Sequence, residues 1–178
     1  MHLYEHQIAT NASQQMTKVT EMVREDIERS GVREGIAVIF SPHTTAGFTI
    51  NENADPDVVH DMLCGFEKVF PAEQFFYQHA EGNSHAHMKT TVVGPSQTLI
   101  IHDGEIVFGI WQDLYFCEFD GPRNRTSYVK IIEGQAGAAD STPARVSVVP
   151  SVFFSFPAVR MVLARSCGIC RRKLFAVS

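Results

Sequence analysis

From Lys89 to Ile132 the chain is a succession of strand-length apolar segments divided by turn residues. Thr90 to Val93, Thr98 to Ile101, Ile106 to Ile110, Leu114 to Phe119 and Ser127 to Ile132 each read as strand, with Gly94-Pro95 and Asp103-Gly104 between them. His102-Asp103-Gly104-Glu105 is the sharpest signal. Asp-Gly favours the left-handed conformations that a two-residue hairpin requires, so its flanking segments are expected to pair antiparallel. A domain ending in such a meander points to an antiparallel sheet or sandwich.

The upstream half supplies the remaining elements. Tyr4 to Ala9 reads as a strand, and Asn11 or Ser13 as the cap of a helix reaching about Ser30, with Met16, Val19, Val23 and Ile27 at helical spacing and Gly31 as its end. The unbroken apolar run Gly35 to Phe40 suits a buried strand, and Phe48-Thr49-Ile50 a second short one. Asp55-Pro56 opens another helix with Val58, Val59, Met62, Phe66 and Val69 as its apolar face and Pro71 as its stop. Two main helices and six to eight strands indicate an α+β fold on an antiparallel, sandwich-like sheet.

Charge divides the chain. Up to Glu133 there are nine basic and nineteen acidic residues; beyond it there are six and one, and all eight histidines lie at or before His102. The shift begins at the Gly134-Gln135-Ala136-Gly137-Ala138-Ala139 run, which places a folded domain at 1–133 and an extension at 134–178. The extension carries Cys167-Gly168-Ile169-Cys170, the spacing of half a zinc site or a redox pair, with no second pair to complete it. It is expected to be poorly ordered. A net charge of -5 gives no electrostatic reason for nucleic-acid binding. No stretch approaches the roughly 18 apolar residues of a membrane span, and Met1 to Thr10 lacks the basic start and apolar core of a signal peptide. The expectation is a cytoplasmic protein with reduced thiols.

Three polar segments carry the chemistry. In Tyr77 to Lys89, His79 and Glu81 are two apart, as are His85 and His87, so on extended backbone each pair would share a face. Imidazole and carboxylate can share a divalent ion, and the carboxylate can act as a general base. Ser41-Pro42-His43-Thr44-Thr45 follows a strand and suits an anion, or is a self-capping turn. Asp55 and Asp57 either complement a helix dipole or hold a hydrated magnesium ion. In the third segment Trp111 and Gln112 could position a planar ligand, though a Trp packed at a sheet edge is commoner; Cys117 reads as a buried strand thiol, and Arg123 and Arg125 could clamp phosphate or pair with carboxylates across a subunit contact.

Taken in order, His43-Thr44-Thr45-Ala46, Asn51-Glu52-Asn53-Ala54-Asp55-Pro56-Asp57, His79-Ala80-Glu81-Gly82-Asn83, Ala86-His87-Met88-Lys89, Gly94-Pro95-Ser96, Gly109-Ile110-Trp111-Gln112 and Cys117 to Arg125 closely resemble the YjbQ family, also called the secondary thiamine-phosphate synthase family. The resemblance runs from about residue 3 to residue 132. It implies a sandwich-like α+β homotrimer with sites near subunit contacts. It also implies a weak synthase activity, joining hydroxymethylpyrimidine diphosphate to a thiazole phosphate with loss of diphosphate. Carried over, Glu81, His79 and His87 are the expected catalytic residues. His43, Thr44, Thr45, Asn51, Lys89, Trp111 and Gln112 are the expected substrate-binding ones. His79, Glu81, His87, Asp55 and Asp57 are candidate ligands for zinc, or for magnesium arriving with a diphosphate substrate. No organic cofactor is expected. His85 falls outside the pattern and ranks below His87. A non-catalytic metal- or anion-binding protein, or a metal-dependent hydrolase, would use the same residues.

Overall fold

The computed structural model describes residues 2–134. In chain order they form β1 (His2–Ala9), β2 (Gln15–Lys18), α1 (Thr20–Ser30), β3 (Gly35–Phe40), β4 (Ala46–Glu52), α2 (Pro56–Val69), α3 (Ser84–Val93), β5 (Ser96–His102), β6 (Glu105–Ile106), β7 (Gln112–Glu118) and β8 (Asn124–Glu133). A five-stranded sheet has the order β1-β8-β3-β5-β6 and a three-stranded sheet the order β2-β7-β4. Every pairing is antiparallel.

Alternation decides what each sheet buries. Ile8, Ala37, Ile39, Leu99, Ile101, Val129 and Ile131 point from the large sheet toward Phe48, Leu114 and Phe116 of the small one, with Val23 and Ile27 of α1 closing the same core. Phe48 and Phe116 meet edge to face at 5.3 Å. Each such aromatic, withdrawn from water, contributes about 1.5–3 kcal/mol. Strand β7 is buried on both sides. Its odd residues Tyr115 and Cys117, followed by Phe119, pack with Ala86, Val59, Phe66 and Val93 beneath α2 and α3. The outer face of the large sheet is different: Leu3, Phe40, Ile100 and Ile132 lie exposed there.

Local chemistry explains most boundaries. Asp103 and Gly104 both take positive φ, 54° and 81°, as the Asp-Gly hairpin requires. The Asp55 carboxylate caps α2 by accepting the Asp57 N–H at 2.9 Å, with Pro56 as its first residue. Gly31 ends α1 at φ 71°.

Three expectations are corrected. The first helix starts at Thr20, because Gln15–Lys18 pairs with Tyr115 to Glu118 as an edge strand. Thr20 marks the switch: its hydroxyl donates to Asp113 and accepts the Leu114 N–H at 2.8 Å. Thr90 to Val93 is the end of α3, so the described residues hold a third helix. The strand expected over Ile106 to Ile110 is reduced to Glu105–Ile106. The expectations placed on the extension, including Cys167 and Cys170, lie outside the described residues.

Candidate functional site

Helix α3 sorts its histidines. Two residues along a helix lie about 200° apart around the axis, so His85 and His87 face opposite ways rather than sharing a face. His87 joins His79, Phe76, Tyr77, Ser84 and Met88 in lining an open groove of about 470 Å³. The His79 and His87 rings stand edge to face at 5.2 Å. A turn closed by the Gly82 N–H to the His79 carbonyl, 3.0 Å, brings the Glu81 carboxylate to 3.9 Å from His79 Nε2. Asn83 holds that turn against the sheet, donating to Asp120 at 3.0 Å and to Glu81 at 3.4 Å.

His85 turns inward with Lys89. Lys89 is 1% exposed, and its ammonium donates to Glu67 at 2.8 Å and Gln14 at 3.1 Å. Burial, then the Lys89 charge, holds the His85 pKa below the usual histidine range, with Glu67 and Asp120 opposing. Lys89 is thus spoken for within the fold and does not line the groove.

The loop between β3 and β4 forms a second polar corner. Ser41 braces it, donating to the Ala46 carbonyl at 2.9 Å, while His43 Nε2 accepts the Thr126 N–H at 2.9 Å. Behind it Glu118 and Arg125 form a bidentate pair, Nε to Oε2 at 2.6 Å and Nη2 to Oε1 at 2.5 Å. Arg125 Nη2 also donates to Thr45 Oγ1 at 2.9 Å, and Thr10 donates to Glu118 at 3.1 Å. Thr44 is exposed. Burial pushes the Glu118 carboxyl up, but hydrogen bonds from Arg125 and the Asp120 N–H outweigh it and hold it below the usual carboxylate range. Arg123 pairs with Asp120 at 2.8 Å, so both arginines meet carboxylates of their own chain.

The other expected residues lie elsewhere. Asn51, Trp111 and Gln112 gather where β4 ends and β7 begins: Glu52 pairs with Gln112, and the Asn53 N–H donates to the Trp111 carbonyl at 2.8 Å. Gln112 accepts the Gly109 N–H at 2.8 Å, and Asn51 donates to the Met62 sulfur at 3.1 Å. Trp111 is 62% exposed. Asp55 and Asp57 begin α2 just beyond. Thr45 and Glu118 mark the opposite end of the β4–β7 pair, a strand length of roughly 20 Å away. One chain therefore does not bring all the expected site residues together. Cys117 is sealed in β7, its thiol pushed up to about 12 by burial.

Sequence reasoning placed Tyr77, Asn83, Met88 and Asp120 in chemistry-bearing segments without giving them a role as groove walls or anchors, and passed over Phe76. The Gly82-Asn83-Ser84 step, a helix start with Gly94 as its stop, was the signal that could have found them. Glu118 as the partner of Arg125 had no local signature.

Among the described residues no three His, Cys, Asp or Glu side chains stand close enough to hold one metal ion. His79 and His87 could supply two ligands, and Glu81 does not complete the set as placed.

The family model for UPF0047 YjbQ-like proteins matches residues 4–134. The chain is 50% identical over 126 residues to UPF0047 protein YugU of Bacillus subtilis, covering 71% of this chain and 96% of that one. It is 50% identical over 130 residues to a UPF0047 protein of Methanocaldococcus jannaschii, covering 73% and 94%. A crystal structure of an uncharacterized YjbQ/UPF0047 protein from Clostridium acetobutylicum superposes with a TM-score of 0.71 at 51% identity, covering 72% of this chain and 99% of that one. A similar protein of unknown function from Sulfolobus solfataricus gives 0.71 at 27% identity, covering 75% and 97%.

Proposed function

The chain belongs to the UPF0047 YjbQ-like family, and from that premise we propose that it is a transferase acting on small phosphorylated heterocycles, joining hydroxymethylpyrimidine diphosphate to a thiazole phosphate with release of diphosphate. The observation that carries this reading is the groove in which His79 and His87 stand edge to face beside Phe76 and Tyr77. Its aromatic walls suit a flat ring, and its imidazoles can exchange a proton with a bound group.

The reaction forms a carbon–nitrogen bond as the carbon–oxygen bond to diphosphate breaks, and the electron pair leaves with that oxygen. Ser84 lines the groove at the start of α3, where free backbone N–H groups and the helix dipole favour the departing charge. An imidazole N–H can donate to the same oxygen, with the Glu81 carboxylate 3.9 Å from His79 Nε2. A divalent ion is the companion proposal, with His79 and His87 as two of its ligands. No step here is assigned to it, because a third ligand is not in place.

We further propose that the chain works as a homotrimer in the cytoplasm. Apolar Leu3, Phe40, Ile100 and Ile132 lie uncovered on one sheet face, and Ile110 and Trp111 project at the far end of the small sheet. A neighbouring copy could bring the Trp111 end toward a groove that its own chain leaves distant.

The test is thiamine phosphate formation from both substrates with magnesium, in wild type, Glu81→Gln, His79→Ala and His87→Ala. Turnover reduced about 10²–10⁴-fold in the variants, with ligand binding retained, supports the enzyme. Ligand binding without turnover in the wild type supports a non-catalytic binder.

A further inference from the structure

The corner at His43 has a chemistry of its own. A backbone N–H is always a donor, so the bond from Thr126 to His43 Nε2, 2.9 Å, requires an unprotonated nitrogen there. The ring's proton then sits on Nδ1, which makes no hydrogen bond to the described residues. Protonating the ring would set two N–H groups against each other. Burial and the Arg125 charge also disfavour the cation, and the influence of Arg125 on this ring exceeds the opposing one of Glu118.

The donors around it are incompletely used. Arg125 spends Nε and Nη2 on Glu118 and Thr45, and its Nη1 has no partner among the described residues, although the residue is only 6% exposed. The Thr44 hydroxyl, on the exposed side of the same loop, is likewise unengaged. Glu118 presents no competing oxygen, since both are saturated by Arg125, Thr10 and the N–H groups of Phe119 and Asp120.

We infer that His43 is a hydrogen-bond donor held in its neutral Nδ1–H form, and that with Arg125 and Thr44 it forms a subsite for one tetrahedral phosphate group of the ligand. This deepens the proposed function and rests on it in taking the ligand to be phosphorylated. Glu118 is a positioning residue for the subsite, holding Arg125, and His43 is not the proton-transfer group.

The experiment is a long-range ¹H–¹⁵N correlation spectrum of the full-length wild-type protein at pH 7.5, titrated with inorganic phosphate and, in parallel, with acetate. His43 should show the neutral Nδ1–H tautomer, and phosphate should shift its Nδ1 resonance saturably. His43→Phe and Thr44→Ala, each checked for an unchanged melting temperature, should weaken phosphate binding by tenfold or more. An Nε2–H tautomer, a charged ring, or no phosphate-dependent shift overturns the inference. So does phosphate affinity unaltered in both variants. An equal response to acetate would reassign the subsite to any small oxyanion and overturn its phosphate class. None of these readouts requires turnover, so failure of the synthase assay and failure of this subsite are separately visible.

Discussion

Glu118 and Arg125, seven residues apart in sequence, are joined by two parallel hydrogen bonds, with the carboxylate fully buried. Removing one partner leaves the other charged and largely buried. Glu118→Gln or Arg125→Ala should therefore cost about 3–5 kcal/mol, read by urea denaturation. A loss below about 1 kcal/mol would mean that water reaches the pair.

Glu118 and Asp26, the two carboxylates at 0% exposure, should respond oppositely to pH. Glu118 is held below its unfolded value, so the stability it supplies is present above about pH 4.5 and lost as pH falls through its folded pKa. Asp26 is raised by burial, against the bond from His6 at 2.6 Å, so its contribution is greatest below its unfolded value of 3.8 and declines as pH rises through the folded one. Asp26→Asn should stay within about 1 kcal/mol of wild type at pH 7 and flatten that decline. Denaturation midpoints across pH 3 to 8 decide it, and a larger loss at pH 7 than in Glu118→Gln would contradict the assignment.

Lys89 should behave as a structural cation. Its partner Glu67 is half-exposed and can rehydrate, so Lys89→Met is expected to cost no more than about 2 kcal/mol, whereas Lys89→Ala adds a cavity and about 2–4 kcal/mol. Diphosphate affinity should be unchanged in Lys89→Met, measured by calorimetry. A tenfold weaker affinity at unchanged melting temperature would restore it as a ligand contact.

Metal content tests the donor set directly. With two imidazoles adjacent and no third ligand in place, protein dialysed in metal-free buffer should retain well under one zinc per chain by mass spectrometry. A stoichiometric ion that is lost in His87→Ala would show that another copy, or a rotated Glu81, completes the site.

The parts of this fold legible in sequence are those decided locally. Gly35–Phe40 needed only its unbroken apolar run, the hairpin only Asp103-Gly104, and α2 only Asp55-Pro56. Elements decided at a distance were misread. Met16 and Val19 continue the helical spacing of Val23 and Ile27, yet Gln15–Lys18 becomes strand because β7 lies beside it. Ser84–Val93 ends in β-branched residues and carries no single apolar stripe, so packing against β4 and β7 overrides its weak propensity. The site suffered the same way. His85 and His87 looked paired on extended backbone, and winding that backbone into a helix sent one to the groove and the other to Lys89.

The double burial of β7 has a consequence for how such a protein can change. From Leu114 to Phe119 every side chain supports one packed layer or another, so there is no position at which a substitution is free of the scaffold. New specificity has to be written in the segments that this strand supports, the turn at His79 to Asn83 and the loop at Pro42 to Thr44. The backbone beneath them stays a common chassis.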